Sequence, residues 1–158
     1  MQKRHTDRES YFDEQSQTSK NYYIPYIKEV IGHIPDKVLE VGCGEGGNLL
    51  PFAKAGCRVM GVDIDAMRIE QARTFFTQRH QQGQFIATDI FQLEDKATNF
   101  PLILLHDVIE HIRDKERFLS GLQKHLSADG AVFVLSLIHI SEPMRHAQIS
   151  YAVFCLKK

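Results

Sequence analysis

What the sequence lacks narrows its class before any motif is read. Its three cysteines, Cys43, Cys57 and Cys155, stand in no C-x-x-C or other paired spacing. That excludes a disulfide framework and a cysteine-based zinc cluster, and leaves them as small buried residues. Net charge is almost absent too: 19 Lys and Arg against 20 Asp and Glu give -1, so the chain carries no electrostatic footprint for nucleic acid or an anionic membrane. No apolar run approaches the roughly 20 residues that a membrane-spanning helix needs. The opening MQKRHTDRESYFDEQSQTSK has no apolar core of a signal peptide, and a cytoplasmic protein is expected. What remains is ordinary for one folded domain with one core: 158 residues, 43% hydrophobic and 25% charged.

Residues 1–21 are polar and charged apart from Tyr11 and Phe12, and they read as an arm outside the core that orders over a ligand. Beyond them Tyr23, Ile27, Val30, Ile31 and Ile34 recur at three- and four-residue steps. That spacing predicts an amphipathic helix over 22–34 with Pro25 in its first turn. KVLEV (37–41) is a short apolar strand, and GNLLPFAKAG (47–56) a helix closed by Gly56, with Pro51 early enough to be tolerated. The alternation continues with strands CRVMGVD (57–63), QFIATD (84–89), PLILLHD (101–107) and AVFVL (131–135). Between them lie helices over 65–83 and 114–126, the first ending at Gly83 and the second capped by Asp114, and a turn at ADG (128–130). Strands that are nearly continuous Val/Ile/Leu runs, each followed by a helix, predict a parallel sheet covered on both faces. Over 22–134 the expected fold is therefore α/β, a doubly wound Rossmann-like parallel sheet of about five strands, with ligands beyond the carboxyl ends of the strands.

The tail breaks this rhythm. Read back into codons from Leu135, LSLIHISEP and Arg145 fit CTG TCT CTT ATA CAC ATC TCC GAG CCC and then AGA, a transposon-end adapter of sequencing libraries. Met144 stands where that adapter's ACG would encode Thr. His146 to Gln148 fit a variable index, ISYAVFCL fits the flow-cell end ATC TCG TAT GCC GTC TTC TGC TTG, and Lys157 and Lys158 fit a terminal run of A. Residues 135–158 are thus expected to be a non-native tail on a domain cut short after its fifth strand. The alternative is a genuine strand, since SYAVFCL has strand-like composition.

Two ligand patterns overlap in VLEVGCGEGG (38–47). Gly42, Gly44 and Gly47 spell the dinucleotide pattern G-x-G-x-x-G, while Glu40 followed by Gly42, Gly44 and Gly46 spells an acid plus G-x-G-x-G. A glycine turn between strand and helix admits close approach of a ligand, and free N–H groups at the helix start suit a pyrophosphate or a carboxylate alike. A phosphate-binding P-loop is excluded because Asn48 stands where that motif needs Lys. Asp63, at the end of the second strand, can take the ribose hydroxyls of either nucleotide. Glu40 discriminates: a buried carboxylate needs a partner, would repel a pyrophosphate, and suits an ammonium. Asp89 can accept from an adenine amino group, with Ile64 and Ile90 as apolar faces for the ring. Asp107, Glu110 and His111 stand at i, i+3 and i+4, so a helical turn would bring them to one face; they could hold a divalent metal, or Glu110 and His111 could orient the loop through backbone hydrogen bonds. His106 or His111 could act as a general base. The remaining His5, His33, His80 and His125 read as solvated.

On these residues the segment 22–134 resembles the class I S-adenosylmethionine-dependent methyltransferases. VLEVGCGEGG looks like their first motif, GVDID their second acidic motif, ATDI the adenine-side motif, and LHDVIEHIRDKERFLSGLQKHLSADGAVFVL the passage from fourth to fifth strand. The resemblance implies S-adenosyl-L-methionine as cofactor, with Glu40, Gly42, Gly44 and Gly46 around its methionine moiety, Asp63 on the ribose, and Cys43 and Ile64 among the cofactor-binding residues. It places Asp89 with Ile90 at the adenine, and His106 and Asp107 near the sulfonium and the acceptor. YFDEQS…YYIP is similar to the arm that many such enzymes fold over the cofactor. HDVIEH resembles a turn of ubiquinone-biosynthesis O-methyltransferases in which Glu, Glu and His hold a metal. Here the first is Asp107, one methylene shorter, and no metal is assigned. The expected function is methyl transfer to a small-molecule acceptor, with His106, Asp107 and His111 as candidate catalytic residues and no membrane or nucleic-acid partner. The rivals are an NAD-binding oxidoreductase module and a non-catalytic fragment whose sheet edge lies uncovered.

Overall fold

Short runs of β-branched and aliphatic residues form five parallel strands: β1 (Lys37–Val41), β2 (Arg58–Asp63), β3 (Gln84–Ala87), β4 (Phe100–His106) and β5 (Leu126–Ile138). The computed structural model describes residues 7–93, 97–138 and 150–157. His5, Met144, Arg145 and His146 to Gln148 lie outside the described residues, as does the side chain of Cys155. The strands lie in the order β3-β2-β1-β4-β5, so the winding reverses between β1 and β4. A sixth strand, β6 (Ser150–Lys157), pairs antiparallel with β5 from Ala131 to Ile138. The expected five-stranded parallel sheet is present, but the expectation of an uncovered edge is corrected, because β6 lies along it.

Both faces of the sheet are covered. Alternate residues of β1 and β4 point to opposite sides: Val38, Leu102 and Leu104 join Phe12, Ile27, Phe52, Phe75 and Phe76 in one core cluster. Leu39, Val41, Ile103 and Leu105 join Ile90, Phe118 and Leu122 in the other. The helices of the first face are α1 (Arg8–Thr18), α2 (Ile24–Ile31), α3 (Leu50–Lys54) and α4 (Ala66–Gln78); α5 (Lys115–Leu122) covers the second. Asp114 caps α5 by accepting from the Arg117 N–H at 3.0 Å, as its position predicts. Among the described residues no helix is long and apolar enough to cross a membrane.

The structure revises five local expectations. The polar arm is a helix, α1, capped by Asp7 and anchored by a fully buried Phe12. The helix expected from Tyr22 continues from α1 through a π-helical turn, Ser19–Tyr23, into α2, which ends at Gly32 with φ +91°. The segment 47–56 is mostly a 3₁₀ turn (Gly47–Leu49) and a five-residue α3, and α4 stops at Gln78, short of Gly83, with His80 taking the left-handed φ of +52°. ADG (128–130) makes no turn: it lies within β5, where a register irregularity between Phe100 and Leu102 absorbs the extra residues. His125 is also corrected. It is fully buried, and its Nδ1 lies against the Ala97 carbonyl, whereas His33 and His80 are exposed.

Candidate functional site

The conformation of the glycine turn resolves the overlap of its two patterns. Gly42, Gly44 and Gly46 have φ of +71°, +53° and +82°, a backbone that only glycine adopts without strain. Gly47 does not share it. Its requirement is space, since a Cβ there would lie 2.6 Å from the Phe12 carbonyl oxygen and 2.8 Å from Gln15 Cβ. The fourth glycine therefore admits α1, and the three strained positions follow G-x-G-x-G.

The N–H groups of this turn are largely used within the protein. Those of Gly42 and Cys43 donate to the Val62 carbonyl, that of Gly46 to the Cys43 carbonyl, and that of Gly44 to Asp63 Oδ2 at 2.8 Å. The helix that follows has only five residues. The helical segment opens as the 3₁₀ turn Gly47–Leu49, and two buried carboxylates, Glu40 and Glu45, lie at the same turn, where they disfavour a pyrophosphate.

Glu40 is 1% exposed on β1, between Gly61 of β2 and Leu104 of β4. Its Oε1 accepts from Asn48 Nδ2 at 2.8 Å, while its buried Oε2 has no hydrogen-bond partner. Burial pushes its carboxyl up to about 8; the Asn48 amide opposes that rise and the Asp63 carboxylate adds to it. Burial, with Glu40 and Asp63 close by, also pushes the Cys43 thiol up, so Cys43 lines the turn as an apolar thiol and not as a thiolate. Glu45 is handled differently: Arg8 of α1 lies 3.1 Å from its carboxylate and Arg68 of α4 lies 3.9 Å away.

Asp63 ties the turn to α4, because its Oδ1 accepts from the Asp65 N–H at 2.9 Å while Oδ2 holds Gly44. Each oxygen retains a second lone pair for a ligand hydroxyl. Ile64 is 83% exposed and presents an apolar face. Ile90 does not: its side chain belongs to the core beneath β3 and β4, so the expectation of an open apolar face there is corrected. Asp89 is exposed, and one of its oxygens accepts from the Phe91 N–H at 2.9 Å.

At the end of β4 the chain bends sharply. Asp107 takes a left-handed φ of +54° and its N–H donates to the Leu135 carbonyl; such strain at a non-glycine residue accompanies functional positions. His106 Nδ1 lies 3.7 Å from Asp107 Oδ2, and the His106 ring packs 5.9 Å from that of Tyr23. The segment that follows, Ile109–His111, is a single 3₁₀ turn. The shared face expected for Asp107, Glu110 and His111 on one α-helical turn therefore does not form. Glu110 instead accepts from Ser136 Oγ at 2.9 Å, the His111 N–H donates to the Val108 carbonyl, and the His111 side chain is exposed. Among the described residues no three His, Cys, Asp or Glu side chains are grouped to hold a metal.

Sequence reasoning passed over Gln15, Tyr23 and Asn48. Asn48 stands one residue past the glycines and was legible only as the absence of a P-loop lysine. Gln15 and Tyr23 come to the site through packing of α1 and of the π-helical turn, for which no local signal exists.

The family model described as a methyltransferase domain matches residues 39–132. A ubiquinone biosynthesis O-methyltransferase of Bartonella quintana is 36% identical over 101 residues, which are 64% of this chain and 41% of that protein. Another of the same name, from Brucella ovis, is 31% identical over the same shares. The chain thus spans about two-fifths of the length of the curated relatives it matches. Among solved structures, PKMT2 from Rickettsia typhi in complex with AdoHcy aligns with a TM-score of 0.62 and 27% identity, over 74% of this chain and 25% of that one.

Proposed function

The chain belongs to the methyltransferase-domain family, and from that premise we propose that it binds S-adenosyl-L-methionine and directs its sulfonium methyl group to an oxygen of a small-molecule acceptor. The single observation that carries the reading is the buried, unpartnered Oε2 of Glu40 beside the glycine turn. An acceptor oxygen there suits the α-ammonium of a methionine moiety and repels a phosphate. The oxygen acceptor follows the names of the curated relatives, and a cytoplasmic setting suits the free thiols of Cys43 and Cys57.

When bound, the cofactor supplies an electrophilic methyl group on sulfur. The chain supplies binding and orientation, from which much of the rate of an in-line displacement can come. Glu40 holds the ammonium, and Gly42, Cys43, Gly44 and Gly46 shape the turn around the amino-acid tail. Asp63 accepts from the ribose hydroxyls; Asp89 accepts from the adenine amino group while Ile64 covers the ring and Ile90 supports Asp89 from the core. His106 takes the proton of the acceptor hydroxyl, and Asp107, 3.7 Å away, stabilises the imidazolium that forms. The exposed His111 is the second candidate base.

Calorimetric titration with S-adenosylhomocysteine and, separately, NADH tests the reading. Binding of the first alone supports it, and Asp63→Ala should then weaken that binding by about 1–3 kcal/mol through a lost charged hydrogen bond. Tight binding of NADH alone would return the chain to the oxidoreductase class.

A further inference from the structure

We propose that Asn48 and Gln15 join Glu40 in a buried, acceptor-only cage for a primary ammonium, so that the site selects ligands with a free amino group and draws part of that selectivity from α1. The proposal rests on the cofactor reading above. Three side-chain oxygens in or beside one turn, Glu40 Oε2, Asn48 Oδ1 and Gln15 Oε1, are buried without a hydrogen-bond partner or an ion pair, whereas a fourth, Glu45 Oε1, is met by Arg8 at 3.1 Å. Asn48 is 2% exposed and its amide nitrogen is committed to Glu40 Oε1, which fixes its oxygen as the end left over. The amide nitrogen of Gln15 is likewise engaged, with the Tyr11 hydroxyl at 3.1 Å.

Placement is enforced from both sides. Gln15 Oε1 would lie 2.9 Å from a Cβ at Gly47, the residue before Asn48, so it reaches the turn only because that residue is glycine. Ser19, fully buried in the π-helical turn, donates its hydroxyl to the Asn48 carbonyl at 2.8 Å and pins the same residue to the segment that follows α1. On β1, Glu40 points to the face that Val38 shares with α1. Buried acceptors are rarely left unpaired in folded proteins, and three at one turn call for a group that offers several donors and no acceptor. A primary ammonium, with three N–H donors, is that group; a phosphate, a carboxylate or a neutral ether is not.

The test compares S-adenosylhomocysteine with its deaminated analogue, in which hydrogen replaces the amino group, by calorimetry against the full chain and the variants Gln15→Met and Asn48→Leu. The parent should prefer the amine by roughly tenfold or more. Gln15→Met keeps length and volume but removes the acceptor, and should cut the preference several-fold while leaving the affinity for the analogue unchanged. Asn48→Leu should do the same where circular dichroism shows it folded; Gln15→Met, on a half-buried helix position, decides the matter if it is not. An undiminished preference for the amine in Gln15→Met overturns the cage while leaving the cofactor reading intact. Failure of S-adenosylhomocysteine to bind the parent, with NADH binding instead, overturns both.

Discussion

Glu40 and His125 are buried titratable groups whose effects on stability run in opposite directions. The Glu40 carboxyl rises from an ordinary 4.5 to about 8 on folding, so between those values the folded chain binds more protons than the unfolded one. Its contribution is fully present at low pH and is lost as pH climbs through that window, to the extent of a few kcal/mol. His125 is lowered from 6.5, chiefly by burial against the opposing pull of the Ala97 carbonyl. Its Nε2 has no partner to receive a second proton's N–H, so its contribution is present above 6.5 and falls away as pH drops through the lowered value. Urea unfolding between pH 6.5 and 8 isolates the glutamate: the parent should lose stability across that range, and Glu40→Gln, which keeps the shape without the charge, should stay level. A parent that is equally stable at both ends would mean that Glu40 ionises without penalty and has a partner in the folded chain. The same proton should appear in binding, because a ligand ammonium favours the carboxylate. S-adenosylhomocysteine titrations at pH 7 in two buffers of different ionisation enthalpy should show net proton release that vanishes in Glu40→Gln; release unchanged by the substitution would assign the proton to another group.

At the level of elements, α1 is the piece whose docking is least determined by its own sequence. Phe12 sits 5.1 Å from the Phe75 ring and 6.3 Å from that of Phe76, with the Arg79 guanidinium 4.6 Å over its face. Arg79 also pairs with Glu9 and Asp13 of α1 at 3.2 and 2.7 Å. Those exposed pairs add little on their own, so the aromatic contact, with the pair between Arg8 and the buried Glu45 at 3.1 Å, carries the attachment. Phe12→Ala should release α1 without unfolding the sheet, because a terminal helix held by one buried side chain opens locally before the core does. Gly47→Ala should give the same pattern through the collision with the Phe12 carbonyl. Hydrogen exchange would then rise over 8–23 and stay protected in β1, β2 and β4. Exchange that rises uniformly would show α1 to be part of the global cooperative unit. The same element shows where sequence legibility ends. The strands and the G-x-G-x-G turn were readable because each is a local run of residues with its own physical signature. A polar stretch with one buried phenylalanine has none until Phe75, Phe76 and Arg79 are brought against it. Gly83 and ADG failed for a related reason: His80 accepted the left-handed position, and a bulge against Phe100 carried β5 through a sequence that could equally have turned.

Across the whole molecule, the sheet order explains why the candidate residues converge. With the reversal between β1 and β4, the carboxyl ends of adjacent strands present the glycine turn, Asp63 and His106 along one edge, the position at which open α/β sheets bind ligands. The opposite problem of an open sheet is its lateral edge, where unpaired N–H and C=O groups invite pairing with another chain. Here β6 occupies the outer side of β5 from Ala131 to Ile138, and β5 in turn supports the end of β4 through the Asp107 N–H to Leu135 carbonyl bond. Loss of β6 should therefore be felt both as association and as loosening near His106. A chain ended after Ile138 should show a mass by light scattering that rises with concentration, a lower midpoint of thermal unfolding than the parent, and faster hydrogen exchange at Asp107. A shortened chain with the parent's mass, midpoint and exchange would show that β5 needs no neighbour, and that the ligand-binding edge is built entirely by residues 7–138.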